Sequence, residues 1–256
     1  MNLRVAIITT IRHNVGDDFV RAGILGLIDE AWQSIGLKHQ ASIRSWPIHK
    51  HSPISTVRGC SWIRSTRISN LVEPLTRRLQ LPNAISWANL LIQSGAPIYW
   101  HHPNHSSCEA NEWYLPLIRK RHARLRQSIP LLNLAGGSCQ RFHSDGSEFM
   151  QSPEALAYIS DFFKRSSLTT LRDPLAKHIL ALAGHEAEVL PCTSIFARDH
   201  HRLAPRPGST IVLNFMQHGG HFTFGQDIDT QAWQRRFATI AAAAQELGPV
   251  VLACHN

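Results

Sequence analysis

The chain has 256 residues, 26 Lys and Arg against 18 Asp and Glu, and a formal charge of +8 with its 16 histidines neutral. No run of about 18 apolar residues exists, which excludes a membrane-spanning helix, and a first strand that opens at residue 3 with Arg4 inside it argues against a cleavable signal peptide. The five cysteines (60, 108, 139, 192 and 254) are scattered with no CxxC pair, so free thiols in a reducing compartment, by default the cytoplasm, are expected.

In chain order, Val5–Thr9 reads as a β-branched strand that breaks into a polar turn, His13-Asn14-Val15-Gly16-Asp17-Asp18. A helix over 18–35 follows, with Val20, Ile24, Leu27, Ile28 and Ala31 on one face and Asp17 or Asp18 as its expected N-cap. Strand, tight turn and helix put the turn at the carboxyl end of a parallel strand, where open α/β sheets bind ligands. A capped turn with no ligand is the alternative.

Further strands are expected at 41–46, 88–93, 98–100, 131–135, 168–171 and 188–190, and helices at 113–127, 152–165 and 173–183. Ser152-Pro153 and Asp173-Pro174 each set an N-cap residue before a proline at the first helical position, and Gly184 stops the last helix. Alternating β and α predicts a Rossmann-like parallel sheet with helices on both faces. Residues 199–209 are proline-rich and polar and read as a linker between a first domain, 1–198, and a second β-start. The second start runs strand 210–215, helix 230–247, strand 250–253, a βαβ unit too small to bury its own sheet faces.

The positive balance suits an acidic partner: nucleic acid, an anionic membrane face or a phosphorylated metabolite. The densest basic run, 119–126, has apolar companions at helical spacing, which fits the wet face of an amphipathic helix better than a nucleic-acid surface. The His-rich loop 99–109 offers metal-ligand types at spacings that match no zinc pattern, so a solvated loop and no metal are expected. His218-Gly219-Gly220-His221 follows a strand and fits either a pocket lining or a plain turn. Gly136-Gly137-Ser138 follows the strand 131–135, where glycines admit a ligand close to backbone N–H groups; a tight turn is the alternative. Arg172 stands at a strand end, ahead of a helix whose N-terminus attracts anions, and can grip a carboxylate or phosphate two-pronged. Its alternative is a surface pair with Asp173.

Four stretches in order, 13–18, Asn133–Ser138, Thr170–Lys177 and Leu190–Ala197, with Val212–Met216, Gly219–His221 and 250–256 after them, resemble the polysaccharide pyruvyl transferase family. The resemblance implies a GT-B-like architecture of two Rossmann-like domains facing each other across a cleft. It also implies transfer of the enolpyruvyl unit of phosphoenolpyruvate onto two hydroxyls of a sugar, giving a ketal and phosphate. Arg172 is then expected to hold the donor anion and Asp17 to act as base. Asn14, Gly16 and Asp18 line the acceptor side, and Gly136, Gly137, Ser138, His218 and His221 complete the substrate-binding set. No cofactor and no nucleic acid are implied; the partners are phosphoenolpyruvate and a sugar or lipid-linked glycan, with peripheral membrane association and a homo-oligomer left open. The family's late Arg-x-His motif falls beyond residue 256, so the second domain, 210–256, is expected to be incomplete. A sugar-nucleotide glycosyltransferase on the same scaffold and a non-catalytic anion- or nucleic-acid-binding module are the competing expectations.

Overall fold

The structure is a computed structural model that describes residues 2–11, 14–36, 42–50, 53–58, 60, 68, 71–72, 75, 78–79, 83–102, 107–111, 129–141, 143–204, 208–216 and 228–255. The chain divides into two compact units, 1–140 with 144–203, and 141–143 with 204–256.

The first unit is built on a seven-stranded sheet of β1 (Asn2–Thr9), β2 (Ser42–His49), β3 (Leu90–Gln93), β4 (Pro97–Tyr99), β5 (Leu131–Ser138), β6 (Leu168–Leu171) and β7 (Glu188–Val189). The order is β2-β1-β3-β5-β6-β7, with β4 also against β5, and every pairing is parallel. Helix α1 (Val15–Ser34) covers one face through Val20 and Ile24, packed on Val5, Ile7 and Ile92. Helices α2 (Pro153–Arg165) and α3 (Pro174–Leu182) cover the other, where Tyr158, Ile159, Phe162, Ile179 and Leu180 meet Ala6, Ile8, Leu91 and Leu171. The expected parallel α/β sheet with helices on both faces is what the chain forms. A central strand buried on both faces must be apolar at successive positions, as Val5-Ala6-Ile7-Ile8 is.

Both proline-started helices form as expected: Ser152 Oγ accepts from Ala155 N–H at 3.3 Å, and an Asp173 oxygen from Ala176 N–H at 2.7 Å. Four expectations need correction. The N-cap of α1 is Asn14, not Asp17 or Asp18; its extended backbone and an amide oxygen 2.9 Å from Gly16 N–H start the helix three residues earlier than the periodicity implied. β2 continues to His49 through Pro47, which an edge strand tolerates because its missing N–H can face away from the ladder. Residues 88–93 are not all strand: a helical turn capped by Asn83 occupies Ala84–Trp87, and β3 opens at Leu90. β5 does not stop at Ala135 but runs on through Gly136, Gly137 and Ser138. The helix expected at 113–127 lies outside the described residues.

Residues Thr193–Phe196 and Ala197–His200 add two short helical turns against α1. They come so close that a Cβ on Gly23 would lie 1.7 Å from the Thr193 carbonyl oxygen, and Thr193 Oγ1 donates to Val20 O at 3.2 Å. Among the described helices, none is long and apolar enough to cross a membrane.

In the second unit, β8 (Ile211–Met216) and β9 (Val250–His255) pair in parallel over six residues, joined through α4 (Thr230–Gln245). Phe215 packs against Trp233 and Phe237, and Trp233 Nε1 donates to Met216 O at 2.8 Å. α4 buries none of its residues, and Val212, Val251 and Leu252 are at least half exposed.

Candidate functional site: the carboxyl edge of the sheet

From β1 the sheet order runs to β2 on one side and to β3 on the other. Such a reversal opens a crevice at the carboxyl ends of the strands, because the chain leaves them toward opposite faces. The residues at that edge are polar and yet buried: Thr9 and Thr10 after β1, His49 and Lys50 after β2, Gln93 and Ser94 after β3. Main-chain bonds hold the strand ends together there, with Lys50 N–H to Thr9 O and Ser94 N–H to Ile8 O, both 2.9 Å. Among the described residues, Thr9 Oγ1 and Gln93 Oε1 have no hydrogen-bond partner, an unusual state for buried oxygens and costly unless something else meets them.

β5 is bent where it meets β6. Ala135 has φ +54°, a left-handed backbone that a non-glycine residue adopts only at a cost of about 1–3 kcal/mol. The bend falls at the register shift between Asn133 and Gly136, and Ala135 N–H turns to Thr170 Oγ1 at 2.9 Å. Gly95 of the neighbouring strand end lies so close that a Cβ there would be 2.7 Å from Ala135 O.

Arg172 leaves the end of β6 across this bend. Its Nη1 donates to Gly95 O at 3.3 Å, and its Nε lies where a Cβ on Gly137 would be 2.3 Å away. The glycine is the reason the guanidinium fits. The alternative of a surface pair with Asp173 is not what the chain forms, for Asp173 is committed elsewhere. Its carboxylate accepts from Ser138 N–H at 2.9 Å, Ser138 Oγ at 2.7 Å and Ala176 N–H at 2.7 Å, tying β5 to the start of α3. A guanidinium has five N–H donors, and beyond the contact to Gly95 those of Arg172 meet no partner among the described residues.

The acceptor-side residues follow β1 on the same edge. Asn14 and Gly16 form the start of α1, and Asp18 is turned aside by an ion pair with Arg21 at 2.7 Å. Asp17 is 7% exposed, and its carboxylate has no hydrogen-bond or ion-pair partner among the described residues. Neighbouring strands are about 4.8 Å apart. The bond to Gly95 therefore brings the Arg172 guanidinium to the strand next to β1. His218 and His221 lie outside the described residues, as does His13.

Residues that sequence reasoning passed over also belong here. Lys50 is 9% exposed, and Cys139 follows β5 with its N–H 3.3 Å from Tyr99 O. Burial pushes the Cys139 thiol up, while the charges of Lys50 and Arg172 pull it down and that of Asp173 adds to the rise. Burial also drives the Tyr99 phenol far above its ordinary range, although Asn133 donates to its oxygen at 3.1 Å, so it stays neutral. The loop after β4 is not simply solvated: His102 is buried beside Trp100, and Cys108 is buried too. Gln140 braces that loop by accepting from His101 N–H at 2.9 Å and donating to His101 O at 2.8 Å. Its amide also meets Glu148, which accepts from Ser144 Oγ at 2.6 Å. Burial alone would raise Glu148; the hydrogen bonds from Ser144 and Gln140 outweigh it and hold the carboxyl below its usual range. Among the described residues, no three His, Cys, Asp or Glu side chains group as metal ligands.

The edge therefore presents the Arg172 guanidinium, the Asp173 carboxylate satisfied by hydrogen bonds, the buried Asp17 carboxylate, and backbone thinned by glycines. No protein-family model matches the chain, and neither a curated protein nor a solved structure does.

Proposed function

We propose that the chain is a polysaccharide pyruvyl transferase of GT-B-like architecture, with phosphoenolpyruvate as donor and a sugar or lipid-linked glycan as acceptor. The observation that carries the reading is Arg172: a guanidinium at the carboxyl edge, seated on Gly137, steadied by Gly95 O and, among the described residues, paired with no carboxylate. The second unit, β8–α4–β9, is on this reading the opening of a second Rossmann-like domain.

The reaction protonates the donor methylene, leaving positive charge on the carbon that bears carboxylate and phosphate. One acceptor hydroxyl adds to that carbon and loses its proton. Phosphate then leaves with the C–O bonding pair, and the second hydroxyl adds and loses its proton, closing the ketal. Arg172 holds the donor anion so that this carbon is fixed against the acceptor, a positioning effect of the kind that removes much of an association barrier. The Asp17 carboxylate takes a hydroxyl proton, and Asn14 and Gly16 shape the acceptor side. Asp173 and Ser138 keep the Arg172 backbone in register with β5.

Titration calorimetry with phosphoenolpyruvate tests the reading: Arg172→Ala is expected to weaken binding about tenfold or more, the scale of one lost charge-assisted contact. Binding of a uridine or guanosine diphosphate sugar in place of phosphoenolpyruvate would instead identify a sugar-nucleotide glycosyltransferase.

A further inference from the structure

We infer that Thr9 belongs to the acceptor side of this site: its hydroxyl and the Asp17 carboxylate take one substrate hydroxyl between them, in a polar tier that closes the layer between β1 and α1. The inference rests on the acceptor-side reading of Asp17 and adds the group that orients the hydroxyl for it.

Side chains alternate across a strand, so Val5, Ile7 and Thr9 share one face of β1. It is the face that α1 covers, because Val5 and Ile7 lie in one buried cluster with Val20 and Ile24. On α1, Asp17 stands one turn before Val20, on the same stripe. β2 is parallel to β1, so the helix between them runs back along the strand, and the end of β1 faces the start of α1. Two strand residues rise about 6.6 Å and three or four helical ones about 4.5–6 Å, so the two elements keep pace. The apolar tiers built from Val5, Ile7, Val20 and Ile24 are therefore followed, at the carboxyl edge, by a tier of Thr9 and Asp17. Both are shut from water, Thr9 at 1% and Asp17 at 7% exposure. Among the described residues neither side chain has a hydrogen-bond partner, and they do not bond each other. A carboxylate only accepts, whereas a threonine hydroxyl has a proton to give. One hydroxyl meets both needs by accepting from Thr9 and donating to Asp17, with its second lone pair left for the donor carbon. A water fits the same pair, and the experiment separates the two.

Saturation-transfer NMR on the full chain, with glucose, galactose and mannose as probes, reads the pair. At least one hexose is expected to bind. Thr9→Val keeps the shape and removes the hydroxyl, and should raise the dissociation constant of that hexose about tenfold, while Thr9→Ser restores it. Phosphoenolpyruvate affinity, measured by calorimetry, should be the same in wild type and Thr9→Val. Unchanged hexose affinity in Thr9→Val overturns the proposal, as do equal losses for hexose and phosphoenolpyruvate. A wild type that binds none of the three hexoses overturns it too, for the tier then holds water only. A further comparison needs no variant to fold: one monodeoxy form of the bound hexose should bind about tenfold more weakly, and equal binding by every monodeoxy form overturns the proposal. If hexose binding depends on Thr9 but phosphoenolpyruvate does not bind, the Thr9–Asp17 pair stands and the pyruvyl-transfer reading falls. If phosphoenolpyruvate binds through Arg172 while Thr9→Val leaves hexose affinity unchanged, the donor reading stands and the pair falls.

Discussion

Replacing Gly137 by alanine separates the stability of the sheet edge from its use. The new Cβ would lie 2.3 Å from Arg172 Nε and 3.0 Å from Arg172 Cζ and Asp173 Oδ2, whereas ordinary contact begins near 3.4 Å. Gly137 has no positive φ, so its backbone accepts alanine. The conflict is with the distal part of a flexible side chain, which can retreat by about 1 Å at little cost in packing. That retreat stretches the bond from Nη1 to Gly95 O, already 3.3 Å, beyond useful length. The lost bond costs about 1 kcal/mol, and the reduced freedom of the unfolded chain returns about 0.4–1 kcal/mol. Net stability should therefore change by less than about 1 kcal/mol in a urea melt. Phosphate affinity, read by calorimetry, should fall about tenfold, because the guanidinium has left its seat. Gly95→Ala is the contrast: its Cβ would meet backbone, Ala135 O at 2.7 Å, and backbone cannot swing aside. It should cost about 1–3 kcal/mol. A Gly137→Ala protein that binds phosphate as well as wild type refutes the reasoning.

Gly23→Ala drives a Cβ to 1.7 Å from Thr193 O and threatens the Thr193–Val20 bond, so a loss of about 2–4 kcal/mol is expected by urea denaturation. Gly26→Ala, whose nearest neighbour would be at 3.3 Å, should stay within about 1 kcal/mol of wild type, and equal losses at the two sites would sink the argument. Asp173→Ala and Ser152→Ala each remove a helix cap worth about 1 kcal/mol, but only the former should weaken phosphate binding, since Asp173 also ties Ser138 beside Arg172. Glu148 has its folded-state pKa below the ordinary value, so its stabilisation is full above about pH 4.3 and is lost as pH falls through the folded value. Glu148→Gln should accordingly flatten the acid-side fall in melting temperature between about pH 5 and 3, and an unchanged slope would remove the Ser144–Gln140–Glu148 brace from the account.

The parts of the fold legible in the sequence were those set by local chemistry. Ser152-Pro153 and Asp173-Pro174 announce helix starts because cap and proline act within one turn. The β1 core was legible because a strand buried on both faces must be continuously apolar. The end of β5 was not, since glycines signal a break when read alone. Here they are demanded by packing: Arg172, distant in sequence, presses on Gly137, and the Asn133 amide and Ile98 press on Gly136. The start of α1 misled for a related reason. Asn14, Asp17 and Asp18 all suit a cap, and only the backbone turn, with Asn14 extended and Asp17 N–H on Asn14 O, decides among them. Gly23 likewise carries no local sign that residues 193–197 will lie against it.

The site divides along the same line. Arg172 could be found from sequence because it stands between a strand and a capped helix, a place that attracts anions on local grounds. Lys50 could not, since it lies beyond the strand expected at 41–46 and carries no motif; it reaches the edge only because β2 continues to His49 beside β1. One signal was nevertheless available: the neighbouring central strands β1 and β3 each close an apolar run with buried polar residues, Ile8-Thr9-Thr10 and Ile92-Gln93-Ser94. In a sheet covered on both faces, a polar side chain kept from water at a strand end needs something to meet it. When two adjacent strands end that way at one edge, with Thr9 Oγ1 and Gln93 Oε1 unpartnered among the described residues, a shared ligand crevice is the economical explanation. That pattern, more than any single motif, directs attention to the carboxyl edge, where the Arg172 guanidinium bonded to Gly95 O supplies positive charge.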